Sequence, residues 1–327
     1  MQNFSNATAT PLSPLPGVIA AEGIRFIRVS GADAVKFLHG QLSQAIEGLG
    51  TRTTLAGYCS ARGRLNAIVR AWVEGDDIML ALPEAMAEAF MKRIRMFVLR
   101  AKVVFTPIEP MPHTRLLVGE PGATAAQAAG LTIPAEGEVI RTNGWTLLGL
   151  APASAIDGFC VGGARALAIA PSEDAATQLG AAAPDAWRTA SVIAAGVPQI
   201  LPETREKFVP QHVNLELVGG VSFRKGCYPG QEVISRVEHI GETNRRAAIC
   251  RVTLGTQEAP KAGDPVWSAG EEVGTVVLAT HIGDEALVLC SATLSGLENG
   301  LALTADGAAM TVLPLPYRIR NIIKDPA

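Results

Sequence analysis

Apolar positions recur along this chain with two different periods, and the alternation between them predicts its elements. Ile24 to Val29 reads as a strand, and Ser30 is placed to cap a helix from about Ala32 to Leu49. In that helix Val35, Leu38, Leu42, Ile46 and Leu49 recur at helical spacing on one face. Leu65–Val73 and Ile78–Leu82 read as paired strands around the turn Glu74-Gly75-Asp76-Asp77. Pro83 opens a second helix to about Leu99, with Met86, Phe90, Ile94 and Phe97 on one side, and Val103–Thr106 is a further strand. Residues 107–137, with several Pro and Gly and an Ala-rich stretch, predict a boundary and a short helix. Trp145–Leu150 and Ala166–Ala170 are expected strands, Ser172 caps a helix to about Leu179, and Trp187–Ala195 is helical. This second strand–helix unit has the scale of the first without a visible sequence repeat, so it predicts at most a structural echo. From Ala247 onward the texture changes to short β-rich runs (Ala248–Leu254, Val273–Ala279, Ala286–Cys290) between Gly, Asp and Pro turns. That is the pattern of a small all-β barrel or sandwich, with its boundary near Gly241–Arg246. Helices flanked by strand pairs favour an α+β body over a doubly wound sheet. Met1–Gly17, rich in Asn, Thr, Ser and Pro, reads as a loose tail.

Composition narrows the function classes. With 327 residues, 48% hydrophobic and 18% charged, the chain is long enough for two or three ordinary globular domains. A net charge of −3 gives no reason to expect a general nucleic-acid binder. The first 23 residues hold neither Lys nor Arg and no long apolar run, so no secretory or mitochondrial leader is expected. No stretch has the length of a membrane-spanning helix. The 5 Cys are widely spaced with no C-x-x-C, which fits a reducing cytosol better than a disulfide framework and supplies no standard metal-ligand set. A cytoplasmic location is the expectation.

The candidate chemistry sits in Lys225-Gly226-Cys227-Tyr228-Pro229-Gly230-Gln231-Glu232. The thiolate is the reactive form of Cys, and a nearby cation favours it. Lys225 is two residues from Cys227, Gly226 removes bulk beside the sulfur, and Pro229-Gly230 suits a tight turn. Cys227 and Lys225 are therefore the candidate catalytic pair. Cys59, Cys160, Cys250 and Cys290 lack such neighbours and read as small buried hydrophobes. Tyr228 either stacks on a ligand or anchors the turn in the core. Glu232 either caps the element that follows or pairs with Lys225 or Arg236. Arg236, Arg245, Arg246 and Arg251 form a basic cluster suited to carboxylate or phosphate, or a solvated linker. Arg62-Gly63-Arg64, and Arg205 with Lys207, are weaker cationic spots. Walker, G-x-G-x-x-G and H-E-x-x-H patterns are absent, so nucleotide hydrolysis, a Rossmann cofactor and zincin chemistry lack support.

The octapeptide, together with Phe208-Val209-Pro210, Asn214-Leu215, Gly220–Phe223 and Arg236, resembles the YgfZ family of folate-binding proteins. That family is related to the aminomethyltransferase (T-protein) of glycine cleavage. Gly31-Ala32-Asp33, Phe37–Leu42, Ala61–Arg64, Gly196-Val197-Pro198 and Arg245-Arg246 agree in order. The resemblance implies two α+β domains around a central channel and a C-terminal β-barrel, here 18–115, 116–240 and 245–327. It implies tetrahydrofolate in the channel and a role in assembly or repair of iron–sulfur clusters of selected enzymes, including one that methylthiolates tRNA. The partners it implies are iron–sulfur enzymes or cluster-assembly proteins, with no direct nucleic acid and no membrane. It makes Cys227 the essential thiol and Trp187 a folate contact, with a second aromatic contact near Ile24 or Phe26. Tyr228, Gln231, Glu232 and Arg236 complete the candidate cofactor contacts. Two departures bear on chemistry. The related Arg-x-Glu-Ala-Gly reads Val192-Ile193-Ala194-Ala195-Gly196, without the carboxylate suited to paired pterin N–H donors. The region of the T-protein's catalytic Asp reads Gly63-Arg64-Leu65-Asn66-Ala67, without an acid. The expectation is an accessory protein, and the alternative is an aminomethyltransferase-like one-carbon transferase.

Overall fold

A computed structural model describes residues 15–239 and 243–319. Most of the expected tail, the core of the expected Gly241–Arg246 boundary and the last residues lie outside them. The chain opens with β1 (Val18–Ala20) and β2 (Ile24–Ser30), followed by α1 (Ala34–Gln41). Next come β3 (Thr53–Cys59), β4 (Leu65–Glu74), β5 (Asp77–Pro83), α2 (Glu84–Arg95) and β6 (Val104–Pro107). The next unit runs β7 (Thr114–Val118), α3 (Gly119–Ala128), β8 (Val139–Thr142), β9 (Trp145–Ala153), β10 (Gly163–Ile169) and α4 (Glu173–Thr177). Helices α5 (Ala186–Ala194) and α6 (Gln231–His239) follow. The rest is β11 (Arg245–Thr253), β12 (Pro265–Ser268), β13 (Glu271–Ile282), β14 (Glu285–Thr293), α7 (Leu294–Asn299), β15 (Leu301–Ala302) and β16 (Ala309–Leu313).

The first sheet has the order β3-β4-β5-β2-β6 and the second β8-β9-β10-β7-β1, both antiparallel throughout. These are one topology used twice, with α1 and α3 after the first strand and α2 and α4 after the fourth, so the echo is real in structure though absent from sequence. The edge place that β6 takes in the first sheet is taken in the second by β1, from the start of the chain. Val18–Ala20 thus belongs with the second sheet, not with the 18–115 unit expected from sequence. The remaining β-strands close into a barrel, β11-β14-β13-β12-β15-β16. Among the described residues no helix is long and apolar enough to cross a membrane.

Local chemistry explains where the expected elements held and where they changed. Ser172 caps α4, its side chain accepting from the Ala175 N–H at 3.2 Å. Helix α2 begins after Pro83, with Glu84 in its first turn and Lys92, Arg93 and Arg95 in its last, matching the helix dipole. It ends at Arg95, so Phe97, expected on its buried face, is 44% exposed. The helix expected to reach Leu49 stops at Gln41, because Leu42 turns extended (φ −102°, ψ 153°) and bridges to Tyr58. The apolar positions still find the core, with Leu38, Leu42, Ile46 and Leu49 all buried. Burial of that stripe survives the loss of helix because the segment turns back along the edge of β3, where the Ser43 N–H donates to the Gly57 carbonyl at 2.8 Å. Ser30 is no cap; it pairs with Val104 at the end of β2. Asp33 stands at the N-cap position, but its carboxylate accepts from the Lys102 N–H at 2.8 Å. Within 107–137, the reading as boundary and short helix missed β7, a central strand between β1 and β10.

The stretch from Phe208 to Val221 ties the units together. Asn214, in the left-handed region at φ 57°, donates to the Ala247 carbonyl at 3.0 Å and accepts from the Ala247 N–H at 3.3 Å. Arg246 and Glu216 make a buried ion pair, and Arg246 also donates to the Gln211 carbonyl at 3.3 Å. Gln211 in turn donates to the Ile234 carbonyl of α6 at 2.9 Å. Burial, with Arg64, Arg245 and Arg246 nearby, pushes His212 down to about 4. Unfolded, the same imidazole titrates near the ordinary value of 6.5. Below that value the unfolded chain takes up a proton that the folded chain refuses. Stability is therefore expected to fall as pH drops from about 6.5 toward 4, by on the order of 3 kcal/mol. Urea unfolding of wild type and His212→Gln at about pH 7 and about pH 5 checks this, with the variant losing less on acidification. Equal acid losses in the two proteins would remove His212 as the cause.

Candidate functional site

The thiol loop is fastened to the end of α1 before it reaches Cys227. Ser43 is buried and acts as a knot: its Oγ donates to the Gly220 carbonyl at 2.6 Å and accepts from the Gly57 N–H at 2.7 Å. Its carbonyl accepts from the Ser222 N–H at 2.9 Å. Gln44 Nε2 donates to the Gly219 carbonyl at 2.7 Å. Lys225 then reaches back, and Nζ donates to the carbonyls of His39, of Leu42 at 2.6 Å and of Gln44 at 3.4 Å. Three carbonyls match the three donors of an ammonium. The same Nζ lies 5.1 Å from the centroid of the Tyr228 ring, within cation–π range. Burial pushes this ammonium down to about 8. Lys225 thus works as the bolt of the loop, where the sequence offered it as the partner of the thiol.

On the other side of Cys227, Tyr228 is the anchor. It is 6% exposed and packs in the main core, its hydroxyl lacks a hydrogen-bond partner among the described residues, and burial raises the phenol above its ordinary range. Gly230 turns the chain into α6 at φ 82° and lies backbone-to-backbone on the Ser60–Gly63 turn. With both flanks fixed, Gly226 and Cys227 stand exposed between them. The other four cysteines are buried, and burial pushes the Cys59 thiol up to about 12.

The second component is a cavity between the two sheets. Leu55, Ile68 and Leu82 wall it from the first sheet, and Leu116, Leu150 and Leu167 from the second. This inner cavity of about 100 Å³ shares Leu55 and Arg70 with a mouth of about 470 Å³. Gln44, Glu47 and Gly219, from the segments that fasten the thiol loop, line that mouth. On its far side the cavity shares Pro83, Arg188 and Gln199 with a cleft of about 510 Å³ that reaches Leu278 and Ala279 of the barrel. The three spaces adjoin through these shared wall residues at the centre of the molecule, with the thiol loop hung from one rim.

Two guanidiniums enter the inner cavity, one from each sheet. Arg70 lies mid-β4, in a cross-sheet row with Leu55 and Ala81, and Arg165 lies on β10 between Val118 and Leu150. Arg165 is 3% exposed; its Nη1 donates to the Ala151 carbonyl at 3.2 Å, and its Nε has no partner among the described residues. Burial first, then the charge of Arg165, pushes Arg70 down to about 10. Burial likewise pushes Arg165 down to about 10, with Arg188 adding to the effect. Sequence reading passed over both. The available signal was a lone Arg inside an apolar strand run, Ala67-Ile68-Val69-Arg70-Ala71-Trp72 and Ala164-Arg165-Ala166-Leu167.

The structure brings Cys227, Lys225 and Tyr228 into one loop, with Gln231 opening α6 beside it, its N–H donating to the Tyr228 carbonyl at 3.1 Å. Glu232 and Arg236 are exposed on α6, outside the walls of the inner cavity. Trp187 is half-buried on α5, and its neighbour Arg188 supplies the wall, paired with Asp185 at 2.5 Å. Phe26 is buried edge-on against Trp72, ring centroids 6.1 Å apart, and Ile24 supplies the wall on that strand.

Comparison with known proteins agrees with this architecture. No family model matches the chain. It is 30% identical over 330 residues to the "tRNA-modifying protein YgfZ" of Edwardsiella ictaluri (strain 93-146), covering 94% of this chain and 97% of the relative. It is 27% identical over 321 residues to the same-named protein of Yersinia pestis (strain Pestoides F), covering 92% of each. Among solved structures, the glycine cleavage system aminomethyltransferase T from Bartonella henselae superposes with a TM-score of 0.63. That likeness, at 16% identity over 92% of this chain and 85% of the other, concerns the fold alone. The 30% identity to the Edwardsiella relative, over 94% of this chain and 97% of that protein, places this chain in the YgfZ family.

Proposed function

We propose that this protein is a folate-binding accessory factor for iron–sulfur enzymes, working through the thiol of Cys227. The observation that carries the reading is that the exposed Cys227 loop is bolted, through Lys225 and Gln44, to the rim of the channel between the sheets. A ligand in the channel and a partner meeting the thiol are thereby coupled through one short segment, residues 42–44. Tetrahydrofolate suits the channel in two respects. Apolar walls from both sheets accept a flat ring, and the guanidiniums of Arg70 and Arg165 on those walls offer charged donors to an acidic group. Gln199 is the wall residue able to meet the polar edge of a pterin, since position 194 is a buried Ala. When bound, the folate would supply a reduced ring able to accept a one-carbon unit. The chain's own residues orient it, exclude water and present Cys227 as a transient ligand for iron or sulfur. The partners are iron–sulfur enzymes or cluster-assembly proteins, met in the cytoplasm without direct contact to nucleic acid or membrane. A methylthiolating tRNA enzyme among them would account for the name the relatives carry.

Two measurements test this. Calorimetric titration with tetrahydrofolate is expected to give saturable one-site binding, and incubation with an aminomethylated carrier protein and tetrahydrofolate no turnover. Absence of folate binding would remove the cofactor from the proposal. Robust aminomethyl transfer would replace the accessory role with a one-carbon transferase.

A further inference from the structure

Arg70 and Arg165 are an expensive arrangement for an interior. Each comes from a strand with neighbours on both sides, so neither guanidinium escapes around a sheet edge. Among the described residues no carboxylate lies within ion-pair distance of either. They face one cavity, and Arg188, the third cation on its wall, is already matched by Asp185. Arg165 is buried and Arg70 half-buried, with Glu136 on the wall of the mouth acting on Arg70 only from beyond ion-pair distance. Burying a charge without a close partner destabilises a fold, and like charges in one low-dielectric space add to that. A planar guanidinium is the side chain best shaped to take a carboxylate or another oxyanion through two parallel N–H bonds. Apart from Gln199 the rest of the wall is aliphatic, so an occupant needs an apolar body as well as a negative group.

We infer that Arg70 and Arg165 form a two-sided oxyanion site, and that the cavity's ligand is an organic acid held by its anionic group between the two sheets. This rests on the cavity being the ligand site proposed above, and it adds that the acid, rather than the ring, supplies most of the affinity. Arg165 is the fixed half, on the cavity wall and already held by the Ala151 carbonyl. Arg70, shared between cavity and mouth, is the half that the incoming acid meets first.

The experiment measures binding to the full chain by calorimetry for four probes: tetrahydrofolate, 4-aminobenzoylglutamate (acid without pterin), 6-hydroxymethylpterin (pterin without acid) and inorganic sulfate. Wild type is expected to bind the first two and to bind the acid-free pterin far more weakly. Arg165→Met is expected to weaken both acids by on the order of tenfold to a hundredfold, the worth of a charged hydrogen bond. Arg165→Lys should recover part of that, and Arg70→Met serves if Arg165→Met does not fold. Sulfate binding that is lost in Arg165→Met would support the oxyanion site with an inorganic anion as its occupant. If 4-aminobenzoylglutamate and sulfate bind in an Arg165-dependent way but tetrahydrofolate does not, the oxyanion site stands and the folate reading fails. Tetrahydrofolate and the acid-free pterin binding equally, with affinities unchanged in Arg165→Met and Arg70→Met, would overturn the site and leave the folate reading intact. No binding of any probe would overturn both.

Discussion

Replacing Cys227 with Ala is expected to leave the unfolding midpoint and folate affinity unchanged while abolishing support for iron–sulfur enzymes in a strain that lacks the native protein. The first half follows from placement. Cys227 is exposed between two fixed flanks, and truncating an exposed side chain away from packing changes stability by within about 0.5 kcal/mol. The loop's conformation is held by Lys225 on one side and buried Tyr228 on the other, neither of which the substitution touches. The second half follows from exclusivity: the four remaining thiols are buried and none replaces it. Labelling native protein with a thiol reagent should therefore modify one site rapidly in wild type and none in the variant. Full complementation by Cys227→Ala would sink the thiol-based function. A variant that fails because it unfolds would assign Cys227 a structural role instead.

Gly230→Ala is expected to lower stability by about 3 kcal/mol, the sum of left-handed backbone strain and overlap with a neighbouring backbone. Gly230 holds φ 82°, and an added Cβ would stand 2.5 Å from the Ser60 carbonyl oxygen and 2.6 Å from the Gly63 Cα. Those atoms belong to a tight turn and cannot swing aside as a flexible side chain would. Gly63 is itself left-handed, at φ 72°, and sits under Val233 of α6. The Ala variant must lift the start of α6 off that turn, taking the thiol loop's second flank with it. Urea unfolding gives the stability, and the rate of Cys227 labelling reads the loop. A wild-type midpoint would show that the contact gives way without loss, and the close packing would then have no energetic weight.

The Gly230 contact also marks how far sequence could see. Pro229-Gly230 announced a turn, and the turn is there, but its second reason for glycine lies more than 160 residues earlier in the chain, in Ser60–Gly63. The barrel, the paired strands β4 and β5, helices α2 and α5, and the burial of Cys59, Cys160, Cys250 and Cys290 were all legible, because period and local chemistry determine them. Lys225 was legible as important and misread in its contacts. Its neighbours along the chain suggested the thiol, whereas its ammonium is bonded to carbonyls from residues 39–44. Helix α1 was overextended because Leu42, Ile46 and Leu49 keep helical spacing for a purely tertiary reason, burial in the core beside the edge of β3. Arg70 and Arg165 were passed over because what makes them unusual is the pairing of two sheets across a cavity, and no spacing within either strand expresses it.

The crossed edge of the second sheet has a consequence for how this chain is made. Synthesis delivers β1 first, yet its partner β7 emerges only after the whole of the first sheet. Until then β1 is an unclaimed strand, and the first sheet can complete itself with β6 without it. Once β7 is out, β1 lies between it and Ala183, whose N–H donates to the Val18 carbonyl at 2.9 Å and whose carbonyl accepts from Ala20 at 2.9 Å. Strand β1 is thus the closing clasp of the second sheet. Deleting Val18–Ala20 would therefore wound the second sheet, baring β7 as an open edge of the kind that recruits other chains.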